Sequence, residues 1–220
     1  MLVALFVISI FIDNYVNGGV FFTFCFRLGH SKGGISRHRL PHYYASTVTE
    51  PNLPLADKVV GLGYDIHRLV DAGAGGKPLK LGGVNLEDSG VYVLGHSDGD
   101  AVLHAISDSV LGAVGLGDIG EYFSDLDPGN HGLASSRILQ FALSEARNRG
   151  YRPCNVDVNI ILQRPRLGAD CKQRIRSSVC EMMGRGVCVN VKAKTNEGLD
   201  SIGAGNAVAC QSIVLLERVE

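Results

Sequence analysis

A chain of 220 residues is long enough for one domain with a substantial core, or for one domain with an appendage. Its 21 basic and 22 acidic residues nearly balance, and no basic stripe with interleaved aromatic residues runs along it, which argues against a nucleic-acid-binding protein. The six cysteines form no C-x-x-C pair and no zinc-finger spacing. We therefore interpret them as reduced core thiols rather than as a disulfide framework.

The first 57 residues differ in kind from the rest of the chain. Residues 1–26 contain the apolar runs MLVALFVISIFI and VFFTFCF, each shorter than the roughly 20 residues of a membrane-spanning helix. Between Arg27 and Thr49, four basic residues and three histidines occur without Asp or Glu. A signal-like segment (1–26) followed by a transit-like segment (27–57) predicts a leader into a plastid-type organelle, an apicoplast or a chloroplast. A mispredicted gene start or a single membrane anchor is the alternative.

The remaining domain, residues 58–220, begins with a predicted strand, and we expect no membrane association for this domain. In KVVGLGYDIHRL, residues 58–69, the side chains alternate with the period of two that a strand requires. One face carries Val60, Leu62, Tyr64 and Ile66. The other face carries Gly63, Asp65 and His67. The pattern predicts a half-buried strand whose polar face presents an Asp and a His side by side.

The following segments alternate between loops, helices and strands. DAGAGGK predicts a loop, and PLKLGGVNLE predicts a short strand or hairpin arm. Apolar residues at helical spacing predict three helices, from the SDGD turn to about Gly112, from Ser135 to Arg149, and around 175–183. Alternation predicts three more strands, at 156–162, 187–193 and 208–216. This order favours an α+β domain in which helices pack on one face of a mixed β-sheet.

Residues 96–120, HSDGDAVLHAISDSVLGAVGLGDIG, support two interpretations. The end fits the dinucleotide fingerprint G-x-G-x-x-G, but that motif leaves a strand and opens a helix, whereas GLGDIG follows a helical pattern. In the first part of the same stretch, His104 and Asp108 lie four residues apart, which places them on one helix face. Asp65 and His67 with His104 have the composition of a catalytic zinc site, and Asp108 is expected to orient a histidine ring from behind. Spacing alone leaves open whether these side chains meet.

These motifs, in this order, resemble the 2-C-methyl-D-erythritol 2,4-cyclodiphosphate synthase family of the non-mevalonate isoprenoid pathway. The resemblance covers residues 58–220 and rests on GYDIHRL, LGGV, GHSDGDAVLHAISDSVLGAVGLGDIGEYFSD, NVDVNIILQRPRL and VNVKAKTNEGLDSIGAGNAVA. It implies a homotrimer of α+β subunits with active sites between neighbours. The implied enzyme is a phosphorus–oxygen lyase that converts a cytidine diphosphate substrate, 4-diphosphocytidyl-2-C-methyl-D-erythritol 2-phosphate, into a cyclic diphosphate and CMP.

The resemblance also implies roles for individual residues. Asp65, His67 and His104 would hold Zn²⁺, and Glu197 would help to hold Mg²⁺ or Mn²⁺ bridging the substrate phosphates. His96 and Thr195 match the catalytic positions that stabilise the transition state. These residues, His104 excepted, would also contact the substrate, together with Ser97, Asp118, Ile119, Gly120, Phe123, Asp125, Asp127, Leu162, Pro165, Arg166, Leu167, Gly168 and Lys194.

Several positions depart from the pattern of the bacterial members. Lys194 and Asn196 replace threonines of a T-T-T-E motif, and Arg166 stands where Lys is common. Ala204 stands where an Arg often meets an isoprenoid diphosphate in the trimer cavity. These departures leave open a catalytically silent homologue that binds nucleotides or isoprenoid diphosphates. A metal-assisted hydrolase that uses water as its nucleophile is a third hypothesis.

Overall fold

The structure of the chain is a computed structural model, and it describes residues 11–12, 22–23, 56–95, 97–124, 128–130 and 132–219. The chain divides into two compact units, Met1–Pro51 and Asn52–Glu220. In the first unit, strand β1 (Phe11–Ile12) pairs antiparallel with strand β2 (Phe22–Thr23). The predicted leader, residues 1–57, otherwise lies almost entirely outside the described residues.

A six-stranded mixed sheet forms the centre of the second unit. Its strands, in spatial order, are β4 (Lys77–Pro78), β7 (Val91–Leu94), β3 (Lys58–Asp71), β10 (Ala207–Arg218), β8 (Tyr151–Leu162) and β9 (Cys188–Lys194). Strands β8 and β9 run parallel, and all the other neighbours are antiparallel. A small hairpin of β5 (Lys80–Leu81) and β6 (Val84–Asn85) lies before β7.

Three long helices cover one face of the sheet. They are α1 (Ala101–Ala113), α3 (Ser135–Asn148) and α4 (Ala169–Met183). Two single-turn helices, α2 (Ile119–Tyr122) and α5 (Asp200–Gly203), lie in connecting loops. One apolar core joins the three long helices to the sheet, because their buried side chains belong to the same cluster. Among the described residues, no helix has the length and apolarity needed to cross a membrane.

Most of the predicted elements are confirmed, with differences at their edges. The three long helices and the mixed sheet occur where the sequence predicts them. Strand β8 begins at Tyr151 rather than at residue 156 and includes Pro153, next to an irregularity in its pairing with β10. Strand β7 and the single-turn helices α2 and α5 were not predicted. The five described cysteines are free, but the prediction of core thiols is wrong for Cys188, whose side chain is exposed.

The prediction for strand β3 is corrected by the structure, because its apolar face is the exposed one. Leu62, on that face, is 68% exposed, and Val60, Tyr64 and Ile66 are exposed with it. The opposite face, with Gly61, Gly63, Asp65 and His67, lies against the helical layer. Alternation alone predicts two faces but does not say which of them is covered.

Two glycines on β3 explain why this face takes the helix. A Cβ atom added at Gly61 would lie 1.8 Å from the Ser109 carbonyl oxygen, and one at Gly63 would lie 2.0 Å from the Ala105 carbonyl oxygen. Both oxygens belong to the backbone of α1, so the strand and the helix touch backbone to backbone. Only glycine permits so close an approach.

We predict that Gly63→Ala destabilises the domain by about 2 kcal/mol or more, because the added methyl group must push α1 away from the sheet. Gly112→Ala is the matched control in α1, since its Cβ atom would lie 4.0 Å from the nearest atom, the Leu62 carbonyl oxygen. The control should gain up to about 1 kcal/mol from helix propensity. Urea unfolding of the two variants measures the difference, and equal stability would refute the close approach.

Candidate metal centre and substrate cavity

Asp65, His67 and His104 form the only cluster of His, Cys, Asp and Glu within the described residues whose geometry suits a metal ion. The first two lie on β3, and His104 lies on α1, which the two glycines bring against the strand. Asp65 Oδ2 is 3.0 Å from His67 Nε2 and 3.0 Å from His104 Nδ1. The two ring nitrogens are 3.2 Å apart. The structure thus brings together the three residues that the sequence analysis selected as metal ligands.

The triangle of donor atoms fits a tetrahedral ion. Ligand bonds of about 2.0–2.1 Å place any two ligands of a tetrahedral zinc ion about 3.3 Å apart. The three observed edges, 3.0, 3.0 and 3.2 Å, are close to this separation. Three protein ligands leave a fourth position for a substrate oxygen, which is typical of catalytic rather than structural zinc sites.

The charges in the cluster also suit a cation. Burial alone would raise the pKa of the Asp65 carboxyl, but hydrogen bonds and charge interactions with His104 and His67 outweigh it and hold this pKa well below its usual range. Asp65 is therefore ionised at neutral pH. A half-buried carboxylate beside two imidazoles offers a metal ion one negative charge and two nitrogen donors.

The outer nitrogen of the His104 ring has different partners from those that the sequence predicts. His104 Nε2 lies 2.8 Å from Ser135 Oγ and 3.3 Å from Ser97 Oγ. Asp108, expected to orient a histidine ring, instead accepts a hydrogen bond from the Ile119 backbone N–H at 2.8 Å. Asp108 lies one turn further along α1, where its carboxylate reaches the start of α2 rather than the ring.

The amino end of α1 is held by a single buried carboxylate. Asp100 accepts hydrogen bonds from the backbone N–H groups of Val102 and Leu103, at 3.1 Å each, and so caps the helix. It also accepts from Gly82 and Gly83 in the β5–β6 hairpin, at 2.7 and 2.6 Å. Asp100 therefore fixes the helix start, one turn before His104, to the neighbouring hairpin.

A cavity of about 520 Å³ opens beside the triad. Besides the triad, its lining includes four residues that the resemblance assigns to substrate contacts, namely Ser97, Ile119, Gly120 and Phe123. Phe123 is held in place by an edge-to-face contact with Phe141 on α3, with the ring centroids 5.2 Å apart. The side chain of Asp118 caps α2 by accepting from the Gly120 N–H. Ile119 and Gly120, the last two residues of the GLGDIG segment, therefore form a wall of the cavity, which we call the GLGDIG wall. The segment follows a helix, as the sequence predicts.

A second group of predicted residues lies at the same end of the strands as the triad but outside this cavity. Val208 on β10 is paired with His67 on one side and with Leu162 on the other, which places Leu162 about 10 Å from the triad strand. Lys194 ends β9, beyond β8. The cavity lining of this single chain does not include residues 162–168 or 194–197. His96, Asp125 and Asp127 lie outside the described residues.

The loop after β9 has a specific backbone conformation. Glu197 has a φ angle of 51°, in the region that non-glycine residues rarely adopt, and Asp200 follows with 56°. Thr195 Oγ1 donates to Glu197 Oε1 at 2.9 Å, and Asn196 Nδ2 donates to Asp200 Oδ2 at 2.7 Å. The Thr195 and Glu197 side chains are thus held together on one turn. Such backbone conformations are concentrated at functional sites.

Sequence reasoning missed two features of the site. Arg68 lines the cavity and brings a positive charge that suits a phosphorylated ligand. It directly follows His67 in GYDIHRL, so a search for basic residues beside the metal ligands would have found it. Ser135 was expected only as the first residue of a helix, because its contact with His104 depends on tertiary packing.

Comparison with known proteins identifies the family of the chain. The model of the YgbB family matches residues 59–217. The chain belongs to this family. A 2-C-methyl-D-erythritol 2,4-cyclodiphosphate synthase of Dechloromonas aromatica is 44% identical over 160 residues, which make up 73% of this chain and 97% of the relative. The chloroplastic synthase of Catharanthus roseus is 43% identical over 161 residues, 72% of this chain and 65% of the relative.

The solved structures include a member of this family with a bound nucleotide. The CDP complex of IspF from Plasmodium falciparum matches with a TM-score of 0.63 at 35% identity, covering 74% of this chain and 97% of the other. This chain therefore shares its fold with a protein whose structure contains CDP.

We predict that Asp65→Asn lowers zinc affinity by at least about 100-fold. Removing a residue that only hydrogen-bonds to a metal ligand already lowers affinity by up to about 100-fold, and Asp65 is itself a ligand. The substitution removes the charged ligand at nearly constant volume. Asp170→Asn, at an exposed position in the first turn of α4, is the control and should bind zinc like the wild type. Competition with a chromophoric chelator measures both affinities, and an unchanged affinity for Asp65→Asn would exclude the triad as the site.

Proposed function

We propose that the chain is a 2-C-methyl-D-erythritol 2,4-cyclodiphosphate synthase of the non-mevalonate isoprenoid pathway. Its substrate would be 4-diphosphocytidyl-2-C-methyl-D-erythritol 2-phosphate. An oxygen of the 2-phosphate attacks the β-phosphorus, the bond from that phosphorus to the oxygen bridging the α- and β-phosphates breaks, and CMP leaves. The products are CMP and the cyclic diphosphate, which makes the enzyme a phosphorus–oxygen lyase.

One observation carries this proposal: the metal-binding triad and the GLGDIG wall share one cavity. The nucleophile is part of the substrate, so the reaction needs no activated side chain. It needs a surface that folds the substrate back on itself and neutralises its phosphates. The cavity is lined by Ser97, Ile119 and Gly120, and Arg68 brings a positive charge beside the metal ligands.

The metal site would take Zn²⁺ through Asp65, His67 and His104. A bound zinc ion supplies Lewis acidity at a phosphate oxygen and orients it. Asp65 would contribute the negative charge that keeps the ion in place, and the two histidines would contribute nitrogen donors. Around this centre, Ser97 would donate to phosphate oxygens, and the Asp118 carboxylate would accept hydrogen bonds from the diol hydroxyls. Ile119, Gly120 and Phe123 would contact the methylerythritol, as would Asp125 and Asp127.

The loop after β9 would serve the other phosphates. Glu197 would help to hold Mg²⁺ or Mn²⁺ between them, and Thr195, hydrogen-bonded to Glu197, would stabilise the transition state. His96 would share that role. Lys194 would contact the nucleotide diphosphate. The segment after β8 would surround the cytosine through Leu162, Pro165, Arg166, Leu167 and Gly168.

We propose that the residues that line the cavity meet the second group, residues 162–168 and 194–197, across a subunit boundary in a homotrimer. Residues 162–168 and 194–197 lie outside the cavity of the single chain. Val60, Leu62, Tyr64 and Ile66 on β3, with Ile213 on β10, give the open face of the sheet an apolar surface. Burial of such a patch against other copies would be favourable. The assembly would place the second group of one subunit beside the triad of another.

We further propose that the leader directs the chain to a plastid-type organelle. The acid-poor stretch between residues 27 and 49 and the chloroplastic naming of the Catharanthus roseus relative support this proposal. A fluorescent fusion of residues 1–57 should enter the organelle. Cytosolic fluorescence would contradict the assignment.

The reaction is tested by phosphorus NMR of the full chain with zinc, magnesium and the diphosphocytidyl substrate. We expect the resonances of CMP and of a cyclic diphosphate with the wild type and with Asp170→Asn. His104→Ala should leave the substrate unchanged, because the ion loses one of its three protein ligands. An unchanged spectrum with the zinc-loaded wild type would contradict the proposal.

The same spectra separate the other two hypotheses. Open-chain methylerythritol that carries two separate phosphate monoesters, together with CMP, would indicate that water is the nucleophile and that the chain is a hydrolase. Tight CMP binding, measured by calorimetry, without metal-dependent turnover would indicate a silent nucleotide-binding homologue.

A further inference from the structure

The outer nitrogen of His104 is connected to a line of polar side chains that runs away from the cavity. His104 Nε2 contacts Ser135 Oγ at 2.8 Å, and Ser135 Oγ donates a hydrogen bond to Asp98 Oδ1. Asp98 Oδ2 accepts a hydrogen bond from Lys80 Nζ at 3.1 Å. Ser135 is fully buried and His104 nearly so, which shields their contact from water. The connection spans the hairpin strand β5, the turn before α1, and the starts of α1 and α3.

The proton positions in this line follow from the chemistry of its two ends. Lys80 can only donate, and the ionised Asp98 carboxylate can only accept. The single hydroxyl proton of Ser135 is directed at Asp98, so Ser135 can only accept from His104. His104 Nε2 must therefore carry the hydrogen. In a neutral imidazole the other nitrogen, Nδ1, then carries the free lone pair.

Nδ1 is the nitrogen that faces Asp65 and His67. We propose that Lys80, Asp98 and Ser135 are positioning residues that fix the tautomer of His104 and thereby aim its Nδ1 lone pair at the metal ion. This inference rests on the proposed function, because that function requires a metal at the triad. Asp98 and Ser135 occupy the position behind the ring that the sequence predicts for Asp108.

Asp98 is itself rigidly held, as an orienting carboxylate should be. Asp98 Oδ1 also accepts from the backbone N–H of Ser135 at 3.2 Å, at the first turn of α3, where a negative charge is stabilised by the helix. The backbone N–H of Asp98 donates to the Leu133 carbonyl at 3.3 Å. Ser97 Oγ, at 3.3 Å from Nε2, is a longer contact on the cavity side of the ring. The short, buried contact with Ser135 therefore dominates the orientation.

The test compares Ser135→Ala with Ser107→Ala in the full chain. Ser107 is a matched control, because it is also buried, it lies on α1 with His104, and its hydroxyl bonds the Leu103 carbonyl at 2.7 Å. We expect Ser135→Ala to lose zinc affinity by about 10-fold or more, the range for an outer partner of a metal-binding histidine. Asp98→Asn should also lose zinc affinity, because its amide can donate to Ser135 and so reverse the direction of the hydrogen bonds from His104 to Asp98. Ser107→Ala should bind zinc like the wild type.

A spectroscopic signature separates orientation from general destabilisation. In the zinc-loaded wild type, the His104 Nε2–H should give a slowly exchanging, hydrogen-bonded proton resonance. It should persist in Ser107→Ala and disappear into rapid exchange in Ser135→Ala. Wild-type zinc affinity and an unchanged Nε2–H resonance in Ser135→Ala would overturn the inference. A zinc-binding wild type that releases no CMP would instead count against the proposed function alone.

Discussion

The site depends on the contact between the backbone of α1 and the glycine face of β3. Gly61 and Gly63 let the carbonyl oxygens of Ser109 and Ala105 come closer than any side chain would allow. Further along the same strand face, Asp65 and His67 follow the two glycines. Because the backbones of strand and helix touch, the His104 side chain is long enough to reach both of them. A separation of strand and helix by one methyl group would move the third donor away from the other two.

Helix α1 also fixes the positions of the hairpin and of the GLGDIG wall relative to this contact. Asp100 fixes its start to the glycine turn of the hairpin, and Asp108, two turns later, accepts a hydrogen bond from the Ile119 backbone N–H in the GLGDIG wall. His104 lies between these two carboxylates. Helix α1 therefore sets the distance from His104 to the GLGDIG wall. We expect precision here to matter, because intramolecular phosphoryl transfer relies on the placement of two phosphates.

Local signals made much of this predictable. Helices α1, α3 and α4 have clear apolar periodicity, and the Asp-rich turn and Gly150 mark two of their ends. The i, i+2 pair Asp65 and His67 and the helical His104 suggested the triad, although their convergence had to await the structure. The covered face of β3 was not predictable in the same way, because the glycines favour the helix only when the backbone of α1 is present. Ser135 was missed for a related reason, since it is 31 residues from His104 in sequence and joins it only through packing.

The most direct test of the proposed metal site is anomalous X-ray diffraction at the zinc edge from crystals of the zinc-loaded full chain. We predict one ion per triad, about 2 Å from Asp65 Oδ2, His67 Nε2 and His104 Nδ1, with a fourth position open toward the GLGDIG wall. An ion bound elsewhere, or coordinated by His104 through Nε2, would contradict it.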